Sequence, residues 1–204
     1  MAGSDVQAVF ITADTNAVDA ASVAAAARPN TAFTIDGTDT DGGVATFAAG
    51  RIITCTTAGT GDNGKTVTLT GTDVNGDSQT EVITLSGSAT AHAGTKYFKT
   101  ITAASASAQP AANVSIGMAA GSADVIFAGR SRLKGAYIVN SGTAGTLDFL
   151  TTSPTGTSVM KLGTVASATV TRDVHIPEEG VLFTDGIYVQ YTVATFTTIT
   201  AFHA

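Results

Sequence analysis

Apolar and polar residues alternate with a period of two through much of this chain, and the clearest case is 65–85. Thr66, Thr68 and Thr70 alternate with Val67 and Leu69. After a polar cluster, Glu81, Ile83 and Leu85 alternate with Thr80, Val82 and Thr84. This is the signature of two paired strands, each with one buried face. Between them, Asp73-Val-Asn-Gly-Asp77 supplies Asx-turn chemistry and a glycine for positive φ.

The same grammar predicts strands over 32–35, 44–47, 52–56, 66–70, 80–85, 97–102 and 113–116. A second series follows at 125–127, 133–140, 146–150, 159–162, 169–176, 187–193 and 197–202. Turn clusters such as Asp36-Gly-Thr-Asp-Thr-Asp-Gly-Gly43 and Pro177-Glu-Glu-Gly180 separate them. Strands at this spacing predict an all-β chain of two small antiparallel β-sandwich domains, Ig-like or jelly-roll-like. The featureless stretch near residue 122 sets the boundary, giving domains over 31–122 and 123–204.

Residues 1–30 form an N-terminal arm with two readings. A strand at 6–12 is followed either by an Ala-rich helix over 16–27, capped by Asp14 or Thr15 and stopped by Pro29, or by extended chain ordered against a neighbour.

Composition narrows the function. Of 204 residues only 13% are charged, about half the usual share. Thr, Ala, Gly and Ser fill surface positions, and a weakly charged surface of small residues costs little to desolvate against another chain. The net charge of -6 opposes nucleic-acid binding, which needs a basic footprint. No run approaches the ~18 continuous apolar residues of a membrane-spanning helix, and no secretory signal opens the sequence. The single cysteine, Cys55, reads as a buried apolar residue.

Candidate chemistry fails on spacing. Asp36, Asp39 and Asp41 do not fit a calcium loop, because aligning on Gly42 puts Gly37 at position 1 and Ala48 at position 12. Asp73, Asn75 and Asp77 have the first half of such a loop, but Thr84 stands where its last acid belongs. His92, His175 and His203 lack zinc spacing. Gly64-Lys65-Thr66 leads into a strand pattern, whereas a phosphate loop needs a helix. Glu178-Glu179 reads as a solvated turn, and aromatic platforms for sugars are sparse, with no Trp. The chain therefore reads as a non-enzyme with no metal or cofactor.

Five segments carry a resemblance. The first three are 66–85, Gly94-Thr-Lys-Tyr-Phe-Lys-Thr-Ile101 and Asn113-Val-Ser-Ile-Gly117. Together with Ser131-Arg-Leu-Lys-Gly-Ala-Tyr-Ile-Val-Asn-Ser141 and Gly180-Val-Leu-Phe-Thr-Asp-Gly-Ile-Tyr-Val189, they resemble virion structural proteins of tailed bacteriophages over about residues 50–204. The resemblance implies a head decoration (cement) protein located in the virion. Its partners would be copies of itself, as a homotrimer, and the major capsid protein, with neither nucleic acid nor membrane involved. A tail, neck-adaptor or fibre component, including a glycan-binding adhesin, is the alternative. The residues expected to make the contacts are Val9, Phe10 and Ile11 in the arm, and Arg130, Arg132 and Lys134, which would meet an acidic shell.

Overall fold

The structure is a computed structural model that describes residues 6–12, 19–118, 123–192 and 195–204. The described chain is all-β, with sixteen strands. In order they are β1 (Gln7–Thr12), β2 (Ala24–Ala27), β3 (Thr40–Asp41), β4 (Val44–Thr57), β5 (Thr66–Thr72), β6 (Ser78–Thr84), β7 (Ala91–Ala106) and β8 (Val114–Met118). Then follow β9 (Ala123–Phe127), β10 (Ser131–Asn140), β11 (Gly145–Thr151), β12 (Thr157–Thr164), β13 (Thr171–His175), β14 (Val181–Phe183), β15 (Ile187–Gln190) and β16 (Phe196–His203). The chain forms two compact units: Val18–Gly121, and Met1–Ala17 together with Ser122–Ala204. The first is thus inserted into the sequence of the second.

In the Val18–Gly121 unit, antiparallel pairing runs β2-β8-β4-β7-β5-β6, with β3 on β4. The β5–β6 hairpin pairs Thr66 with Thr84 and Thr72 with Ser78, without a slip. Its turn closes as the sequence predicts: Asp73 Oδ1 accepts from the amides of Asn75 at 2.8 Å and Asp77 at 3.0 Å, and Gly76 sits at φ +86°. Val67, Leu69, Ile83 and Leu85 point inward and join Phe33, Phe47, Ile53, Phe98 and Ile116 in one core.

Three expectations change here. The segments 44–47 and 52–56 are one strand, because Ala48-Ala49-Gly50 lacks turn chemistry; the pairing with β7 shifts register between Thr46 and Arg51 and then resumes. No ladder forms over 32–35; Ala32 makes an isolated bridge to Ser105, and Phe33 and Ile35 enter the core from irregular chain. No helix forms over the described part of 16–27. Ala24–Ala27 is a strand on β8, since pairing and the burial of Val23 and Ala24 outweigh alanine's helical preference. Residues 16–18 and the caps Asp14 and Thr15 lie outside the described residues.

The other unit contains the pairing β1-β16-β10-β13, with β14 also on β10, and the pairing β12-β11-β15-β9. Strand β1 lies on β16 along its whole length, from Gln7↔His203 to Thr12↔Thr198. Ile11, Leu133, Ala136, Ile138, Ile199 and Ala201 form the buried face of the first group, and Leu147, Phe149, Ile187 and Val189 are buried in the second. The rings of Phe127 on β9 and His203 on β16 stand 5.2 Å apart.

Candidate functional surface

Buried polar side chains are the first place to look for chemistry, because desolvation perturbs them most. Glu81 follows the alternation onto the core face of β6 and is only 8% exposed. Its Oε1 accepts from the amide of Thr95 at 2.5 Å, the Thr95 hydroxyl at 3.0 Å and the amide of Lys96 at 3.1 Å. The carboxylate therefore pins the first half of β7. Gly94 leaves room for it, since a Cβ there would overlap its carboxyl oxygens. The neighbouring thiol of Cys55 is fully buried, and burial, followed by the charge of Glu81, pushes its pKa up to about 12. A thiol so protonated is no nucleophile.

Asp62 is 0% exposed and accepts from the Ala111 amide at 2.5 Å, the Ala112 amide at 3.5 Å, Thr57 Oγ1 at 3.0 Å and Lys65 Nζ at 3.0 Å. Burial pushes its pKa up, but the bonds from Ala111, Lys65, Thr57 and Ala112 outweigh that and leave it below the ordinary value. Lys65, from the Gly-Lys-Thr tripeptide, is committed to Asp62 and to the Gln109 carbonyl at 2.9 Å. Asp124 is buried and accepts from the Tyr191 hydroxyl at 2.6 Å. These three carboxylates bind groups of their own chain. Asp19 and Asp36 in the acidic loops bind Ala21, Thr38 and Ala25 in the same way. Among the described residues, no group of three or more His, Cys, Asp and Glu is placed to hold a metal ion.

The accessible chemistry lies on the solvent face of the β1-β16-β10-β13 sheet. Register puts Ala8, Phe202, Gly135 and His175 in one row across it, and Phe10, Thr200, Tyr137 and Asp173 in the next. Phe202 is thereby a diagonal neighbour of both Phe10 and Tyr137, within reach of aromatic side chains. This cluster joins residues of three strands far apart in sequence, so the sequence reading missed it; alternation tells which face a residue takes, not which strand lies beside it.

The six residues expected to make contacts divide accordingly. Phe10 is 55% exposed, as is Val6, while Ile11 is buried and Val9 half-buried on the inner face. Arg130 is exposed. Arg132 pairs with Glu179 at 3.1 Å and Lys134 donates to the Glu179 carbonyl at 3.0 Å, so both clasp the 177–180 turn. Phe10 and Arg130 thus remain open to solvent, whereas Val9 and Ile11 are engaged inward.

Among the described residues, β1 is also a sheet edge. One side is paired throughout on β16, and Val6-Gln-Ala-Val-Phe-Ile-Thr12 contains neither charge nor proline. The opposite edge of the same sheet, β13, carries Arg172 and Asp173.

Against known proteins, the chain matches no family model, no curated protein and no solved structure.

Proposed function

We propose that this chain is a non-enzymatic structural protein of a tailed-bacteriophage virion, a head decoration protein that acts by contact with copies of itself and with the major capsid protein. The observation that carries the reading is the β1 edge. Sheet edges exposed to solvent are normally guarded by charge, proline or a bulge. This one has none of these and adds the exposed side chains of Val6 and Phe10. An unguarded edge is a template for another strand. Support for a non-catalytic role comes from Glu81, Asp62 and Asp124, whose carboxylates are bound within their own chain, and from the inert thiol of Cys55.

A homotrimer is the expected state. A head-to-tail ring needs two different complementary surfaces, and β1 and β13 are the two edges of one sheet. Each unit is read as a small sandwich, with the Phe127–His203 contact as support in the Ser122–Ala204 unit.

Light scattering on the purified chain tests the proposal. The expected mass is three times the 20.3 kDa of one chain, and Phe10→Lys, which charges the edge without touching the core, should give monomers with an unchanged circular dichroism spectrum. A ring of six or twelve would favour the tail or neck reading. A wild-type monomer that also fails to co-sediment with phage heads would overturn the proposal.

A further inference from the structure

The solvent face of the β1-β16-β10-β13 sheet holds a cleft of about 560 Å³, within the ~300–1,000 Å³ range of small-molecule sites. Its shape follows from Gly135. Register places Gly135 between Phe202 and His175, so the strand between those two side chains offers bare backbone. A Cβ at Gly135 would sit 2.6 Å from the Val174 carbonyl oxygen, so the pit cannot be filled without moving the β10–β13 ladder. Phe202 forms one side, and Lys134, Asp173, His175 and Glu178 stand around the rest.

The rim is held in place. The Ile176 amide donates to the Lys134 carbonyl at 3.0 Å, and Lys134 Nζ donates back to the carbonyls of Glu179 at 3.0 Å and Glu178 at 3.5 Å. Glu178 is kept at φ 58°, a left-handed conformation that is uncommon for a residue with a side chain. Meanwhile the side chains of Asp173, His175 and Glu178 make no hydrogen bond within the described residues, unlike Asp62, Glu81 and Asp124.

Charge selects the ligand class. The carboxylates of Asp173 and Glu178 disfavour an anion in the cleft, and the Lys134 ammonium, held on the Glu178 and Glu179 carbonyls, offsets part of their charge, which leaves a weakly charged site rich in hydrogen-bonding groups. What fits is a neutral molecule that both donates and accepts hydrogen bonds and has one apolar face. A pyranose has those properties: its hydroxyls suit carboxylates and imidazole, and its axial C–H face suits an aromatic ring. We propose that this cleft binds a neutral pyranose sugar, with the C–H face of the ring on Phe202 and its hydroxyls on Asp173, His175 and Glu178. The cleft adjoins both assembly edges, since Val6 lies beside β1 and Asp173 and His175 are on β13, but sugar binding is read separately from oligomeric mass.

Saturation-transfer NMR on the full chain tests it. The probes are the methyl glycosides of glucose, galactose, mannose, N-acetylglucosamine and N-acetylgalactosamine, with inorganic phosphate as the charged control. Saturation of at least one sugar is expected, strongest on the protons of one ring face, with amide shift changes at Gly135, Asp173 and His175. The double variant Asp173→Asn/His175→Ala changes only exposed side chains and should lower affinity at least tenfold, as should Phe202→Leu. Arg130→Ala, outside the cleft, should leave it unchanged. No saturation of any of the five glycosides, saturation that survives both cleft variants, or stronger shifts with phosphate than with sugar would each overturn the proposal.

Discussion

Asp62→Asn isolates the largest electrostatic commitment in the Val18–Gly121 unit. The wild-type carboxylate receives two backbone amides, a hydroxyl and an ammonium while fully buried. An amide of the same shape has one acceptor oxygen and turns its NH2 toward donors, so at least one buried donor is left unsatisfied. That costs about 1–3 kcal/mol, and more when charge assistance is lost. The Lys65 pair adds little, because Lys65 is a quarter exposed and water screens it. The expected loss is about 2–4 kcal/mol, or roughly 10–20 °C in the melting of a unit of this size. The pH profile gives the sharper reading. The folded carboxyl titrates below its ordinary value, so its contribution is complete above the unfolded pKa of about 3.9 and fades as pH falls through the folded one. The gap between wild type and Asp62→Asn should therefore be full at neutral pH and narrow steadily in acid. Urea titrations at a series of pH values, with amide exchange at Ala111 and Ala112 as the local probe, measure both. A gap under about 1 kcal/mol at neutral pH would refute the reasoning, as would a gap that stays constant into acid.

Three further outcomes follow from the same geometry. Cys55, with its pKa raised to about 12, should resist a thiol reagent at mildly alkaline pH in the folded chain and react fully in urea; rapid labelling of the native protein would contradict its burial. Glu81→Ala removes the acceptor of three donors on β7 and should cost about 2–4 kcal/mol while speeding amide exchange at Thr95 and Lys96; unchanged exchange there would show that the bonds do not hold the strand. His203 has its pKa lowered by burial. The unfolded chain then takes up the proton first, so this histidine's contribution to stability is complete above about pH 6.5 and shrinks as pH falls below it. An NMR titration of its imidazole that gives a midpoint at or above the ordinary value would reverse the sign.

The β5–β6 hairpin was legible from sequence because all its information is local. Threonine–aliphatic alternation fixed the faces, Asp73 and Gly76 fixed the turn, and Glu81 went to the core side with Ile83 as its position required. The fusion of 44–47 with 52–56 was not legible, because Ala48-Ala49-Gly50 contains no signal for or against a turn. The strand at 24–27 ran against local preference, since four alanines favour a helix until β8 supplies a pairing partner. The site was the least legible part. Phe10, Tyr137 and Phe202 come to neighbouring rows of one face only through the pairing of β1, β10 and β16, and the pit between Phe202 and His175 exists only because Gly135 falls between them in register.

The pairing of β1 with β16 sets an order of events during synthesis. Gln7–Thr12 is made roughly 190 residues before its partner Phe196–His203. Every strand of the Val18–Gly121 unit is translated in that interval and can pair within itself. Meanwhile an uncharged, Pro-free segment with Val6 and Phe10 waits unpaired. Translation rate and chaperone supply should therefore govern how much soluble protein is recovered, more than the final stability of either unit.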